Sequence, residues 1–221
     1  MYALKDKIYV FDLDGTLVDS MPAAVKVVLD FLTECGISCP DDIVKTFTPL
    51  GFKGIAEYYV SHLGVKMPPE EIYACFTKKL SRAYAHEIPL KSGVRETLLA
   101  LKAQGASLNV LTASPHVFTD VCLQNNGVYA LFDNVWSVED FGLKKSDVEI
   151  YEKVANALGV DVKDVVMIDD CVDVIKTAKS AGALTIGVYD AAWEKDWAEM
   201  QDTADFCVAD FSQLLAFVDK R

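Results

Sequence analysis

The stretch FDLDGTLVDS, residues 11–20, contains two aspartates one residue apart, directly after an apolar run. That run, Ile8–Phe11, predicts a buried strand with the two aspartates at its end. Side chains alternate along a strand, so Asp12 and Asp14 share one side of it. Two carboxylates on one side repel each other unless one is protonated or a positive charge lies between them. A hard divalent cation such as Mg²⁺ supplies that charge.

The residues after the aspartates suit a turn that faces an anion. Gly15 permits a tight turn, and Thr16 offers a hydroxyl and backbone N–H groups. Asp-Gly is also a common turn dipeptide, so a turn without any site is the alternative. An EF-hand calcium loop is excluded, because its twelfth position requires a bidentate Glu and holds Ala23 here.

Outward from this stretch, short apolar runs alternate with helical patterns. The helices begin near Ser92 and Ser146 and stop at glycines. The runs are continuous rather than alternating, which is typical of parallel strands covered on both faces. The alternation predicts an α/β fold with a doubly wound, mostly parallel sheet. The predicted strands are 8–13, 108–112, 134–138, 165–168, 184–189 and 206–208.

One region interrupts the alternation. Between the first and second strands the chain has only helical periodicity, with apolar residues at Val25, Val28, Leu29 and Leu32 as an example. This predicts an α-helical domain at 19–88, inserted into an α/β core domain formed by 1–18 and 89–221.

Polar residues follow several predicted strands. In open parallel sheets the chemistry lies beyond the carboxyl ends of the strands, so these residues are expected to gather at one edge. They are Thr112 and Ser114 in NVLTAS, Lys145 in LKKSDVEIY, and Asp169, Asp170 and Asp173 in VVMIDDCVD.

Four motifs in this order, DLDGT, VLTAS, KKSDVEIY and IDDCVD, resemble those of haloacid dehalogenase-superfamily hydrolases over nearly the whole chain. The similar subgroup carries a helical cap after the first strand and includes phosphoglycolate phosphatases and β-phosphoglucomutase-like proteins. The resemblance implies that Asp12 is the nucleophile and Asp14 the general acid and base. It implies that Thr112 binds the transferring phosphoryl group and that Lys145 offsets negative charge. Ser146 and Val148 stand where the family commonly has prolines.

The same resemblance implies a metal site and a substrate site. Mg²⁺ would be held by Asp12, Asp169 and the backbone carbonyl of Asp14. Asp173, four residues after Asp169 and on the same side of the expected helix start, would ligate the ion or hold its waters. Asp170 would either support this shell or cap the following helix, and the residues leave both open. Predicted substrate contacts are Gly15, Thr16, Ala113, Ser114, Lys53 and Gly54. The last two lie in TPLGFKG, residues 48–54, whose glycines predict a loop or a bent helix junction; an ordinary helix connection is the alternative.

Composition narrows the partners. The net charge of −12 argues against a nucleic-acid polymer, because such binding depends on Lys and Arg patches. No apolar run approaches the ~20 residues of a membrane span, and the first residues do not resemble a secretory signal. We therefore expect a cytoplasmic protein, a monomer or weak homodimer, that binds a small phosphorylated metabolite.

Three functions compete at this stage. The leading one is a Mg²⁺-dependent phosphatase that hydrolyses a small phosphomonoester through an aspartyl-phosphate. A phosphomutase similar to β-phosphoglucomutase is disfavoured, because the stretch MPAAVKVV lacks the histidine that this relative carries in its first cap helix. A non-catalytic relative that keeps only the fold is disfavoured by the intact Asp12, Asp14, Lys145 and Asp169.

Overall fold

The computed structural model describes residues 7–39, 43 and 50–218. The chain divides into two compact units, Met1–Asp19 with Pro89–Arg221, and Ser20–Ile88. Asp19, which the sequence predicts to begin the insert, groups with the first unit, where its N–H donates to the Pro89 carbonyl at 3.0 Å.

The first unit is built on a six-stranded sheet in the order β3-β2-β1-β4-β5-β6, with every pair parallel. The predicted α/β class with a doubly wound sheet is confirmed. The strands are β1 Ile8–Phe11, β2 Ser107–Thr112, β3 Asn134–Ser137, β4 Val165–Asp169, β5 Leu184–Val188 and β6 Phe206–Val208.

The described part of the chain has helices between β1 and β2 and between later strands. In that part, no helix combines the length and apolar content that crossing a bilayer requires. In chain order they are α1 Met21–Glu34, α2 Gly51–His62, α3 Pro69–His86, α4 Val94–Ala103, α5 His116–Asn125, α6 Val148–Leu158, α7 Val172–Ser180, α8 Trp197–Thr203 and α9 Leu215–Val218.

The central strand β1 is covered on both faces, which is why its sequence is apolar without alternation. Val10 packs in one cluster with Ile150 and Val154 of α6. Its neighbour Phe11 points to the opposite face and stacks on Phe211 with ring centroids 6.2 Å apart.

Strand register determines which residues meet at the carboxyl edge of the sheet. Phe11 is paired with Val110 on β2 and with Ile168 on β4. The next residues, Asp12 and Asp169, therefore stand side by side where β1 and β4 end.

The second unit, which contains α1, α2 and α3, is helical in its described residues and has no strand among them. Its interior is an aromatic cluster of Phe31, Tyr59 and Phe76, with ring centroids 5.3 to 6.0 Å apart. The Tyr59 hydroxyl lies in this apolar interior and donates to the Val28 carbonyl at 2.7 Å, which satisfies its hydrogen bond.

Candidate active site

Three carboxylates gather at the carboxyl edge of the sheet. Asp12, Asp169 and Asp170 each place an oxygen within 4.8 Å of the others, and all three residues are buried. Asp12 remains tied to the sheet, because its N–H donates to the Ile168 carbonyl at 2.9 Å. The prediction that the two strand ends converge is thus met for Asp12 and Asp169.

Lys145 provides the positive charge of this group. Its ammonium contacts Asp12 Oδ1 and lies 2.9 Å from Asp169 Oδ2, and the residue is 8% exposed. One ammonium offsets one of three carboxylates, so two negative charges are left when all are ionised. A buried group with that excess needs a further cation or bound protons.

The pKa values of Asp12, Asp170 and Lys145 are all shifted by burial and by the charges of their neighbours. Burial raises the pKa of Asp12 well above its usual range; Lys145 opposes the shift, and Asp169 and Asp170 add to it. Burial raises the pKa of Asp170 to about 7, with Asp169 adding to the shift and the hydrogen bond from Thr16 opposing it. Burial lowers the pKa of Lys145, but the charges of Asp12 and Asp169 outweigh this, so the net shift is upward and Lys145 stays protonated.

The segment that carries Lys145 is held without the prolines common in the family. The Tyr151 hydroxyl, from α6, donates to the Lys145 carbonyl at 2.8 Å. Asp147 adds a local brace, since its carboxylate accepts from the Lys144 N–H at 2.8 Å. Sequence reasoning missed Tyr151, because it lies on the apolar face of α6 and its pattern matches that of an ordinary core residue.

Asp14, which is half-buried, has a hydrogen-bond partner in the loop after β2. Ser114 Oγ donates to Asp14 Oδ2 at 2.5 Å, and the Ser114 N–H donates to Thr112 Oγ1 at 3.0 Å. Thr112 is buried as the last residue of β2, while Ala113 is exposed just beyond it. The structure therefore brings Asp14, Thr112 and Ser114 together, as the motif spacing predicted.

The turn after Asp14 faces Asp170. Gly15 has a φ of +80°, and a Cβ built there would lie 2.2 Å from Asp170 Oδ2. Thr16 is fully buried, and its Oγ1 donates to Asp170 Oδ1 at 2.9 Å. The Thr16 hydroxyl, expected to face an anion, is thus committed to a buried carboxylate that requires a donor.

Asp173, predicted as a metal ligand, is not part of the carboxylate group. Its side chain is 84% exposed and lies 3.5 Å from Lys176 Nζ. The prediction assumed that Asp169 and Asp173 share one side of a helix start. Asp169 is instead the last residue of β4, and α7 begins only at Val172, so helical spacing does not relate the two.

The sequence left open whether Asp170 supports the metal shell or caps the next helix. The structure places its carboxylate beside those of Asp12 and Asp169. It does not cap α7, because the N-cap position belongs to Cys171. The Cys171 N–H donates to Asp169 Oδ1 at 2.9 Å, which helps orient that carboxylate.

Lys53 and Gly54 lie in the first turn of α2 rather than in a loop, so that part of the prediction is wrong. The Lys53 ammonium is 5.6 Å from the centre of the Tyr73 ring on α3, a contact within the helical unit. Apolar residues at helical spacing, Ile55, Tyr58 and Tyr59, outweigh the two glycines. Thr48 and Pro49 of the predicted loop lie outside the described residues.

A model of the haloacid dehalogenase-like hydrolase family matches residues 7–182. The chain belongs to this family. A phosphoglycolate phosphatase of Colwellia psychrerythraea is 30% identical to this hydrolase over 191 residues, covering 82% of this chain and 84% of the relative. Pyrophosphatase PpaX of Bacillus velezensis is 29% identical over 189 residues, covering 83% and 82%.

The fold also has close structural counterparts. A Thermotoga maritima protein, provisionally assigned as a beta-phosphoglucomutase, matches with a TM-score of 0.84 and 22% identity over 97% of this chain and 99% of its own. At that identity the likeness concerns the fold alone.

The donor set of the hydrolase fits a hard divalent cation. All three clustered side chains offer oxygen, the donor that such ions prefer. Among the described residues, no hydrogen-bond donor reaches Asp12 Oδ2 or Asp170 Oδ2, whereas both Asp169 oxygens are engaged by Lys145 and Cys171. Asp12 and Asp170 therefore have oxygens available for a cation.

Proposed function

We propose that this hydrolase is a Mg²⁺-dependent phosphatase that cleaves a small phosphomonoester through an aspartyl-phosphate on Asp12. The observation that carries the proposal is the buried group of Asp12, Asp169 and Asp170 in contact with Lys145. The names of curated relatives support the phosphatase class.

Asp12 and Asp170 would hold the ion through their available oxygens, with the Asp14 carbonyl as a further ligand. A bound Mg²⁺ supplies the positive charge that lets buried carboxylates and a phosphate dianion occupy one site. The excess of two negative charges over Lys145 matches the charge of a divalent ion. Asp173 has no part in this assignment, because its carboxylate faces solvent.

The residues then divide the chemistry into two displacements. In the first, an Asp12 oxygen forms a bond to phosphorus, the bond from phosphorus to the leaving oxygen breaks, and protonated Asp14 gives its proton to that oxygen. In the second, Asp14 accepts a proton from water as the water oxygen bonds to phosphorus, and the Asp12 carboxylate is released together with inorganic phosphate.

Lys145 would assist both displacements without giving up its proton. Its ammonium has three N–H donors, and Asp12 and Asp169 accept two of them. The third is available to a phosphoryl oxygen. Contacts of the phosphoryl group with Gly15, Thr16, Thr112, Ala113 and Ser114 stay predictions, as do substrate contacts of Lys53 and Gly54.

The test is phosphate release from a panel of esters with Mg²⁺. Phosphoglycolate, sugar phosphates, nucleotides and pyrophosphate represent the relatives' substrates and the open alternatives. We expect Asp12→Asn to lose at least ~10³-fold in kcat, and acid-quenched parent enzyme to carry phosphate on the peptide that contains Asp12. Asp161→Asn is the matched control, because its side chain is 69% exposed and pairs only with Lys163 among the described residues.

Two further variants separate the metal assignments. Asp170→Asn should lower Mg²⁺ affinity about 10- to 100-fold, whereas Asp173→Asn should not change it. The reverse result would restore Asp173 as the ligand. Equal rates for the parent and Asp12→Asn would remove the nucleophile, and full activity in EDTA would remove the metal. Retention of phosphate on a bisphosphorylated sugar would identify a mutase instead.

A further inference from the structure

Lys91 forms a three-way link beside the active site. Its ammonium donates to the Gly15 carbonyl at 2.6 Å, to the Tyr189 carbonyl at 2.8 Å and to Asp190 Oδ2 at 2.8 Å. The Lys91 side chain is 19% exposed and that of Asp190 is 6% exposed. A lysine ammonium has three donors, and these three acceptors engage all of them. Lys91 therefore has no donor left for a substrate.

The link joins two segments that the sheet alone does not connect. Gly15 lies in the turn after β1, and Tyr189 and Asp190 directly follow β5, with β4 between these strands. Asp190 is itself fixed, because its Oδ1 accepts from the Ala192 N–H at 2.8 Å.

The linked turn is packed against the carboxylate group. Gly15 follows Asp14 in the chain, and its α-carbon is so close to Asp170 that no side chain fits between them. Thr16, the next residue, donates to the same carboxylate. A displacement of the Gly15 carbonyl would therefore move Asp14 and Asp170 together.

The backbone near Lys91 pairs with the same turn independently of the side chain. The Lys91 N–H donates to the Leu17 carbonyl at 3.0 Å, and Val18 forms an antiparallel bridge with Leu90. A change of the Lys91 side chain leaves these contacts in place, so its effect isolates the ammonium link.

We propose that Lys91 is a positioning residue, which acts through the Gly15 carbonyl to hold Asp14 and Asp170 in their working geometry. The inference rests on the proposed function for the roles of those two aspartates. Among the described residues, the ammonium pairs with Gly15, Tyr189 and Asp190 and with none of the three clustered carboxylates, so the proposed effect runs through the turn.

The experiment compares the parent with Asp190→Asn and with the double variant Lys91→Met/Asp190→Asn. Lys91→Met alone would leave Asp190 buried without its counter-charge, a cause of unfolding unrelated to the turn. Asp190→Asn removes that charge, retains both carbonyl acceptors of Lys91, and offers the ammonium an amide oxygen in place of the carboxylate. The step from the single to the double variant then measures loss of the link itself.

Three measurements follow, each at a temperature well below the melting point of both variants. They are kcat and KM with Mg²⁺, Mg²⁺ affinity by calorimetry without substrate, and hydrogen exchange of the amides at 13–18. For exchange, the turn at Gly105 and Ala106 is the control, because it has its own backbone bonds to α4.

Asp190→Asn is the reference, because it loses the ion pair of Lys91 and keeps both carbonyl acceptors. Relative to it, the double variant should lose about 10- to 100-fold in kcat and in Mg²⁺ affinity, and its amides at 13–18 should exchange faster while the control turn is unchanged. A lower melting temperature with kcat, Mg²⁺ affinity and exchange at 13–18 all unchanged would overturn the proposal and leave Lys91 a purely structural residue.

The outcome is separable from that of the proposed function. If the parent hydrolyses no ester of the panel, the phosphatase proposal fails, while metal affinity and exchange still decide the role of Lys91. If the parent is active and the double variant equals Asp190→Asn in all three measurements, only the positioning role fails.

Discussion

Replacing Gly15 with alanine tests whether the turn after β1 and Asp170 are built against each other. Gly15 has a φ of +80°, in the left-handed region where an L-residue costs about 1–2 kcal/mol. The new Cβ would lie 2.2 Å from Asp170 Oδ2 and 2.8 Å from its Cγ. Asp170 is 6% exposed and accepts from Thr16, so moving its carboxylate away breaks a buried hydrogen bond.

The stability that Gly15→Ala is expected to lose has two parts. The left-handed backbone contributes about 1–2 kcal/mol, and the collision adds about 1–3 kcal/mol, as overpacking of a filled site does. Gly159→Ala is the matched control for the first part alone, because Gly159 has a φ of +71° and nothing within 4 Å of its Cβ position. The collision should therefore lower the melting temperature of Gly15→Ala about 2–12 °C below that of Gly159→Ala.

The assay is thermal unfolding followed by circular dichroism on metal-free protein, with Gly15→Ala repeated in an Asp170→Ala background. The collision is absent without the Asp170 carboxylate. In the Asp170→Ala background, Gly15→Ala should therefore lower the melting temperature no more than Gly159→Ala lowers it in the parent. Equal melting temperatures for Gly15→Ala and Gly159→Ala in the parent background would refute the close packing of Gly15 on Asp170.

Two more predictions concern residues outside the carboxylate group. Tyr151→Phe leaves the buried Lys145 carbonyl without its donor, so we expect about 1–3 kcal/mol of lost stability in urea unfolding and a lower kcat. Tyr59→Phe is the control: it removes an equally buried tyrosine hydrogen bond in the helical unit and should lower stability by a similar amount without lowering kcat. Equal kcat values for Tyr151→Phe and Tyr59→Phe would contradict the role of Tyr151. Hydrogen bonds of His116 to Asp140 and to Asp120, which is on α5, raise the pKa of its imidazole. The stability from its imidazolium is complete below the unfolded pKa of ~6.5 and is lost as pH rises through the folded value. The excess in melting temperature of the parent over His116→Gln should therefore shrink from pH 6 to pH 9, and a constant difference would argue against the shift.

The strands were predictable because burial on both faces leaves a direct trace in composition. All six predicted runs are strands, and most ends agree to within one residue. The first is the exception: it ends at Phe11 rather than residue 13, because Leu13 is buried in the turn and not in the sheet. Strand order was not predictable, because an apolar run reports that a strand is covered and not which strand lies beside it.

Helix starts were less predictable than strands. Ser92 resembles an N-cap, yet α4 has Gly93 in that position, in the left-handed conformation. Ser146 resembles another, yet Asp147 precedes α6. Several capping residue types occur close together at both places, and tertiary contacts select among them.

The candidate site was predictable where the residues follow strands and unpredictable where they follow turns. Asp12 and Asp169 meet because β1 and β4 are neighbours and end side by side, at the edge of the sheet where the motifs place both residues. Asp170 and Asp173 lie beyond the end of β4, where the direction of each side chain depends on how the chain turns into α7. One-residue differences there decide whether a carboxylate is buried or faces solvent.

Buried Lys145 and half-buried Lys91 show why residue type alone does not reveal a role. The Lys145 ammonium donates to two carboxylates among the described residues and has one N–H left for a ligand. The Lys91 ammonium donates all three of its N–H groups, to Gly15, Tyr189 and Asp190. Both lie three residues before a helix, and sequence reasoning singled out only Lys145. Donor counting distinguishes them only after the acceptors have positions in space. By that count, Lys145 keeps an N–H that a ligand could accept, whereas the role proposed for Lys91 operates only through the turn after β1.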